Sequence, residues 1–265
     1  MTEVLHALFV AWQNPETRRF YPVARLAQVK GSTCIDCYEF TYIQGCLEAG
    51  GFHPFVSFPD IHQVYRSRSL FPMFTNRLLS RSRSDFPEYI SLLGLPTTTT
   101  SPMTILGRSS GRRATDTLEL FPLPEFEPGI GYRTWFWVHG LRHLPTLVQS
   151  QIETLTIGER LLPRCETDNP VNPFAIKLLS SGRGNWTGYM PSYLLDDAHT
   201  LQDVCDSLHI YVERINPPSS PSQQRILCRV ESCWPEGFVP YSSPRYQPLS
   251  AEAAGVQPPR LEHTF

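Results

Sequence analysis

The sequence has very little lysine and no long apolar run. Only Lys30 and Lys177 are lysines among the 23 basic residues, so arginine carries almost all of the positive charge. Arginine presents a planar fork of donors that suits carboxylates and phosphates better than the lysine ammonium does. No stretch of 18 apolar residues occurs, so we expect no membrane span. Residues 1–6 lack a basic cluster, so we expect no signal peptide and a cytoplasmic protein.

An excess of charge of one sign is also missing. The formal net charge is −2 and the pI is about 6.4, so the whole chain is not a polybasic nucleic-acid or membrane-surface protein. The composition is 41% hydrophobic and 12% aromatic, which excludes a wholly disordered chain. The 25 prolines break long helices, so many short elements are expected.

No established catalytic signature occurs in the sequence. The phosphate-binding patterns GxxxxGK[ST] and GxGxxG, the GxSxG elbow, the HExxH helix and the kinase motifs are all missing. We therefore expect a protein that is not an enzyme and uses no cofactor. A nuclease accessory or metal-dependent hydrolase stays as an alternative.

The seven cysteines are an odd number, and in a reducing cytoplasm most of them should be thiols. Cys34 and Cys37 have the spacing of a zinc or redox site, but a structural zinc needs two more ligands. Cys46, His53 and His62 follow without the usual paired spacing. We therefore expect ordinary thiols and no metal, with zinc as the alternative.

Proline-rich stretches predict the domain organisation. Residues 119–130 predict a linker between a domain at 1–118 and a domain at 131–241, and residues 242–265 predict a flexible tail. In the first domain, strands are expected at 6–13, 20–29 and 38–43, and short helices at 70–79 and 85–93.

The second domain reads as strands around one helical segment. Strands are expected at 135–138, 160–164, 174–179, 210–215 and 225–230, with turns or helix at 189–195 and 199–208. Short strands at close spacing predict a small β-barrel, so the fold class is mixed, β-rich α+β. Because strand neighbours face opposite sides, either Trp135 and Trp137 or Phe136 should be buried.

Charge is distributed unevenly along the chain. Residues 62–114 contain eight arginines and two acids, whereas residues 132–214 contain seven basic residues and nine acids. If nucleic acid binds by phosphate neutralisation, the arginine-rich segment is the better electrostatic candidate. The alternative is a solvated arginine-rich face.

Residues 158–195 carry a recognisable pattern, GERLLPRCETDNPVNPFAIKLLSSGRGNWTGYMPSYLL, preceded by WFWVHGLR at 135–142. An aromatic strand ending in Gly, then Gly-x-x-Leu, Glu-x-x-Asn-Pro, Ala-Ile and Gly-Tyr-x-Pro resembles the HIRAN domain over about 110 residues. The matching residues are Gly140, Gly158, Leu162, Glu166, Asn169, Pro170, Ala175, Ile176, Gly188, Tyr189 and Pro191.

This resemblance implies an OB-like small β-barrel that binds nucleic acid, DNA in preference to RNA. In eukaryotic fork-remodelling relatives the domain holds the 3′ end of single-stranded DNA. OB-like surfaces bind single strands by aromatic stacking and backbone contacts. The nucleic-acid-binding residues expected here are Arg142, His143, Asn169, Asn172, Phe174, Lys177, Trp186 and Tyr189.

Two positions depart from the relatives that bind strand ends. Their Arg-Tyr pair is Arg142-His143 here, and their Tyr-Asp pair is Val171-Asn172. The stacking tyrosine and the acid that would accept a bond from a 3′-hydroxyl are therefore both missing. Nucleic-acid binding carries over from the resemblance more strongly than recognition of a 3′ end does.

The first domain resembles the N-terminal subdomain of HipA-type toxin kinases. The matching segments are VARL at 23–26, YEFTY at 38–42, FVSFPD at 55–60, LFPMFTNRLL at 70–79 and LLGL at 92–95. The family's Pro-Glu-Gly is Ser80-Arg81-Ser82 here, and the HIRAN-like part follows where the kinase body would stand. The resemblance implies a protein-contact domain and no phosphoryl transfer.

These patterns together predict a non-enzymatic two-domain protein. Residues 131–241 would bind nucleic acid and residues 1–118 would dock a partner protein, with DNA repair or phage defence as the expected setting. The alternative is an antitoxin-like protein in which both domains bind protein and restrain a HipA-type kinase. The acidic balance of residues 132–214 and the missing Tyr-Asp pair favour that alternative.

Overall fold

The computed structural model describes residues 3–30, 37–99, 101–144, 152–169, 171–205 and 208–253, with the side chains of Glu3 and His143 left out. Its strands form two antiparallel sheets, and its helices are few and short. The mixed, β-rich class expected from the sequence is confirmed. No helix in the described residues is long and apolar enough to cross a membrane.

The strands and helices of the described residues have the following bounds. The strands are β1 (Glu3–Gln13), β2 (Phe20–Lys30), β3 (Cys37–Tyr42), β4 (Tyr65–Ser67), β5 (Leu118–Pro122), β6 (Glu125–Glu127), β7 (Gly131–Trp137), β8 (Arg160–Cys165), β9 (Ile176–Ser180), β10 (Trp186–Tyr189), β11 (His209–Ile215) and β12 (Ile226–Ser232). The α-helices are α1 (Gly45–Glu48), α2 (Pro72–Thr75), α3 (Phe86–Leu92), α4 (Pro102–Ser109) and α5 (Leu195–Cys205).

The chain divides into two compact units. Unit 1 comprises the described residues of Met1–Arg81, Thr100–Phe126 and Glu236–Phe265, and unit 2 those of Ser82–Thr99 and Glu127–Pro235. These units differ from the predicted domains because each is built from separated segments. Helix α3, for example, belongs to unit 2, where Asn216 Nδ2 donates to the Leu92 carbonyl at 3.0 Å.

The five-stranded sheet of unit 1 has the order β4-β3-β2-β1-β5. Asn14 closes the β1–β2 hairpin, because its Oδ1 accepts hydrogen bonds from the backbone N–H of Glu16 and Thr17. Aromatic side chains fill the core on one side of the sheet, and Phe40 and Phe58 stack with ring centroids 3.9 Å apart.

Two predicted connectors are structured parts of unit 1. Residues 119–122 of the expected linker belong to β5, which pairs with β1. Proline is tolerated there because β5 is an edge strand. The first part of the expected tail also packs, because Tyr246 is buried against Phe9. Residues 254–265 of that tail lie outside the described residues.

The seven-stranded sheet of unit 2 has the order β10-β9-β8-β11-β12-β7-β6. Its strands alternate between buried and half-exposed residues, so one face lies on the core and the other, here called the outer face, is accessible. The expectation for β7 is wrong. Phe136 and Trp137 are both buried, because Trp137 lies opposite the fully buried Leu227 at a covered end of the outer face.

The two distant strands β7 and β10 meet just beyond the end of β7. His139 and Tyr189 exchange backbone hydrogen bonds, with the His139 N–H to Tyr189 oxygen distance at 2.9 Å and the reverse distance at 3.0 Å. The strand ladders of the described residues do not form a closed barrel. This pair of bonds nevertheless curves the sheet back toward its own edge.

Candidate functional site

The carboxylate of Glu166 joins three parts of unit 2. Glu166 follows β8 directly, and its Oε2 accepts hydrogen bonds from Tyr189 Oη at 2.7 Å and Asn169 Nδ2 at 2.6 Å. Its Oε1 lies 3.3 Å from Lys177 Nζ. We call these four residues the Glu166 cluster. The cluster ties the loop after β8 to β9 and β10.

The loop between β8 and β9 is shaped by two asparagines. Asn169 Oδ1 accepts hydrogen bonds from the backbone N–H of Val171 and Asn172, both at 3.0 Å. Asn172 Oδ1 then accepts from the N–H of Phe174 at 3.0 Å. Such turns satisfy backbone donors locally and fix the direction of the next side chain. The Phe174 side chain is consequently presented to solvent, with 67% of its surface exposed.

A lysine and an indole form the neighbouring part of the outer face. Lys177 on β9 lies opposite Tyr189 on β10 and opposite Arg164 on β8. Its ammonium nitrogen lies 4.3 Å from the ring centroid of Trp186, a cation–π contact. Trp186 also meets Tyr189 edge to face at 5.5 Å between centroids. Lys177, Trp186 and Tyr189 thus form one continuous set of side-chain contacts on β9 and β10.

Gly188 permits the close approach of β10 to the end of β7. Its φ is +121°, and a Cβ added there would lie 2.4 Å from Val138 Cγ1 and 2.7 Å from the His139 carbonyl oxygen. Arg142 follows this crossing in a short 3-10 helix and is exposed. The crossing is therefore what brings Tyr189 to the end of β7.

The hydrogen bonds of the Glu166 cluster set its ionisation. The hydroxyl of Tyr189, then the amide of Asn169, lower the pKa of Glu166. Burial, then the hydrogen bond to the Glu166 carboxylate, raise the pKa of Tyr189 to about 12. At neutral pH Glu166 is thus a carboxylate and Tyr189 a neutral phenol. Because its own neighbours occupy the carboxylate, the arrangement is suited to shaping a binding surface rather than to acid–base catalysis.

The structure brings together five of the eight residues predicted to bind nucleic acid. Asn169, Lys177 and Tyr189 belong to the Glu166 cluster, Trp186 contacts it, and Asn172 shapes its loop. The remaining three are Phe174, exposed at the end of the loop, Arg142, exposed on the 3-10 helix, and His143, whose side chain lies outside the description.

Sequence reasoning missed Glu166 as a site residue. The Glu-x-x-Asn spacing was visible, but an acid is unexpected in a site for an anionic ligand. His199 on α5 was missed as well, and its Nε2 lies 3.1 Å from the carbonyl oxygen of Phe174. No local pattern links residues 25 positions apart, so only the fold shows this contact.

Ion pairs occupy much of the arginine-rich segment at 62–114. The pairs are Arg66 with Glu39, Arg77 with Asp116, Arg83 with Asp85 and Arg112 with Glu119. At least half of the eight arginines are therefore matched by acids from within the chain. This reduces the weight of the segment as a phosphate-binding surface.

Among the described cysteines, Cys205 and Cys233 form a disulfide. Cys46, Cys165 and Cys228 are thiols, and burial raises the pKa of Cys46 to about 11. Cys34, half of the CxxC pair, lies outside the described residues. Among the residues that the structure does describe, no three His, Cys, Asp or Glu side chains are grouped as a metal site would need.

Comparisons with known proteins give no family for this chain. No protein-family model and no curated protein matches it. One solved structure that does match is the crystal structure of a protein from Lactobacillus plantarum, a structural genomics target. It is 22% identical, covers 37% of this chain and 98% of its own, and has a TM-score of 0.27. A TM-score this low supports no argument about fold or function.

Proposed function

We propose that unit 2 is a HIRAN-like module that binds single-stranded nucleic acid, DNA in preference to RNA, and that the protein is not an enzyme. The observation that carries this proposal is Phe174. Two asparagine turns hold this aromatic side chain 67% exposed in the loop between β8 and β9, which the Glu166 cluster joins to Lys177. A free aromatic face next to positive charge is the usual platform for an unpaired base.

The charges around this platform support phosphate contacts. Arg164 and Arg142 are both exposed, and Arg164 lies directly opposite Lys177 in the sheet. In contrast, at least half of the arginines of the 62–114 segment pair with acids of the same chain. We therefore place the phosphate contacts in unit 2 and not in the arginine-rich segment.

The OB-like barrel is part of the same proposal. The reciprocal hydrogen bonds between His139 and Tyr189 join strands that lie at opposite sides of the sheet order. Glycine is needed at position 188, because a Cβ there would lie 2.7 Å from the His139 carbonyl oxygen. Such a contact supports a strongly curved, barrel-like sheet, and the proposed binding loop joins its strands β8 and β9.

A second candidate function is the antitoxin-like one, in which both units bind protein and restrain a HipA-type kinase. One observation favours it: Glu166 neutralises Lys177, the one lysine that the sequence places near the site. In either case we propose that unit 1 docks a partner protein, and that the protein acts in the cytoplasm in DNA repair or phage defence.

The test is fluorescence anisotropy of the full-length protein with a labelled twelve-nucleotide oligo(dT). Stacking contributes about 1–3 kcal/mol per base, so Phe174→Ala should weaken binding about tenfold or more. Ile157→Ala is the matched control, because Ile157 is also an apolar side chain of unit 2 and is 71% exposed. The same titration with oligo(U) tests the preference for DNA, and a 3′-phosphate tests dependence on a free end.

An absence of salt-sensitive binding to any single- or double-stranded DNA or RNA would reject the nucleic-acid function. Equal weakening by Phe174→Ala and Ile157→Ala would reject Phe174 as the platform. Co-purification with a HipA-type kinase, without nucleic-acid binding, would favour the antitoxin-like function.

A further inference from the structure

A second row of side chains crosses the outer face of unit 2, away from the Glu166 cluster. Arg160 on β8 lies opposite Tyr211 on β11, Tyr211 lies opposite Arg229 on β12, and Arg229 lies opposite Trp135 on β7. Directly opposed residues project from the same face of a sheet. Cations and aromatic rings therefore alternate across four adjacent strands, over about 14 Å at the usual strand spacing. We call these four residues the 160–135 row.

The middle of this row is held in place by acids. Arg229 Nη1 lies 3.1 Å from Glu213 Oε2, and Arg229 Nε lies 3.1 Å from Glu231 Oε1. Its guanidinium carbon lies 5.5 Å from the ring centroid of Tyr211. The two carboxylates, of which Glu231 also pairs with Arg133, offset the charge of Arg229 and hold it in position. Arg229, held over the Tyr211 ring, is thus a preorganised cation–aromatic pair on which a base can stack, rather than a phosphate clamp.

Free positive charge is available on β8 instead. Arg160 and Arg164 are both exposed. They are four residues apart on β8, so their side chains lie on the same face of the strand. Within the described ranges, neither arginine has an ion pair. Arg164 adjoins Lys177 of the Glu166 cluster, whereas Arg160 adjoins Tyr211. The strand β8 therefore connects the proposed platform at Phe174 with the 160–135 row through two unneutralised guanidinium groups.

We infer that the 160–135 row is a second contact region for single-stranded nucleic acid. This inference rests on the proposed function and extends its site from one exposed aromatic residue to a track across the sheet. Phosphates lie on Arg160 and Arg164, and bases stack on the Arg229–Tyr211 surface and on Trp135. Stacking accepts every base, so the track binds internal nucleotides without sequence preference.

The experiment uses full-length protein and oligo(dT) of four, eight, twelve and sixteen nucleotides in anisotropy titrations. Tyr211→Ala and Arg160→Gln should each weaken binding of the sixteen-mer about tenfold and leave the four-mer unchanged. Arg160→Gln should also lower the slope of log affinity against log salt by about 1. Tyr211→Phe keeps the ring and should bind as the wild type does.

Arg68→Gln is the matched control for charge, because Arg68 is also exposed and belongs to unit 1. It should leave affinity and salt slope unchanged. Circular dichroism checks that each variant is folded. If Tyr211→Ala unfolds, Arg160→Gln still tests the inference, because Arg160 is exposed. Wild-type affinity for the sixteen-mer in Arg160→Gln, with weakened binding in Phe174→Ala, would overturn this inference alone. No binding by the wild type would overturn the proposed function as well.

Discussion

At the scale of the residue, Glu166 orders its surroundings through three donors that come from different elements. A carboxylate that receives hydrogen bonds from Tyr189 and Asn169 is favoured in its ionised form. Its side chain is 23% exposed, so the pair with Lys177 is partly screened by water. The cluster therefore depends more on hydrogen bonds than on the ion pair.

Tyr189→Phe should raise the pKa of Glu166 toward its ordinary value, because the Tyr189 hydroxyl is the largest cause of the lowered pKa. A lowered folded-state pKa contributes stability above the ordinary value near 4.5, and that contribution is lost as pH falls through the folded pKa. The stability difference between wild type and Tyr189→Phe should accordingly shrink in acid. NMR of the glutamate carboxyl carbons measures the pKa, and urea titrations at several pH values measure the stability.

Tyr211→Phe is the control for that measurement, since Tyr211 lies on the same outer face and makes no hydrogen bond to Glu166. It should leave the pKa of Glu166 where it is. An unchanged Glu166 pKa in Tyr189→Phe would show that the hydroxyl does not stabilise the carboxylate.

At the scale of the element, the crossing of β10 with the end of β7 depends on one residue without a side chain. The His139–Tyr189 bonds require the backbone of Gly188 to pass close to Val138. An alanine at 188 meets a backbone oxygen, which cannot move away as a flexible side chain could. The positive φ adds strain that any L side chain would feel.

Gly188→Ala should therefore destabilise the protein by about 3 kcal/mol, the sum of backbone strain and a forced contact. Gly184→Ala is the matched control, because Gly184 also has a positive φ, +68°, but has no atom within 4 Å of an added Cβ. Gly184→Ala should lower the free energy of unfolding by only about 1–2 kcal/mol. Chemical denaturation compares the two, and equal losses would show that β10 does not need the close approach.

At the scale of the whole molecule, each unit is completed by chain segments far apart in the sequence. In unit 1, residues after 236 return to cover the sheet, where Tyr241 and Tyr246 surround Phe9. The Leu249 N–H donates to the Tyr42 carbonyl at 3.0 Å, which attaches the same segment to β3. The stability of unit 1 therefore depends in part on a segment that the sequence predicted to be a flexible tail.

Tyr246→Ala should lower the free energy of unfolding by about 3 kcal/mol, because it removes the ring of a residue that is 97% buried within an aromatic cluster. Arg245→Ala is the adjacent control, since its ion pair with Glu48 is about half exposed and should contribute less than about 1 kcal/mol. Thermal unfolding measures both variants. A Tyr246→Ala midpoint equal to that of Arg245→Ala would mean that the segment does not stabilise the sheet.

The sequence by itself determined the β-rich class and most strand positions. Alternating apolar residues at 210–215 predict a strand with one buried side, which β11 has, whereas β2 at the predicted 20–29 is buried on both sides over residues 22–27. It also indicated the loop of Asn169 and Asn172, because asparagine turns depend only on nearby backbone groups.

The tertiary structure alone decided which segments share a unit, that residues 118–122 and 241–249 pack rather than link, and that Glu166 receives Tyr189. It also decided that Arg160, Tyr211, Arg229 and Trp135 form one row, through three strand registers. The physical reason is that local turns and periodicity act over a few residues. Strand partners and buried charges are instead chosen by long-range pairing and desolvation, which no short window of sequence contains.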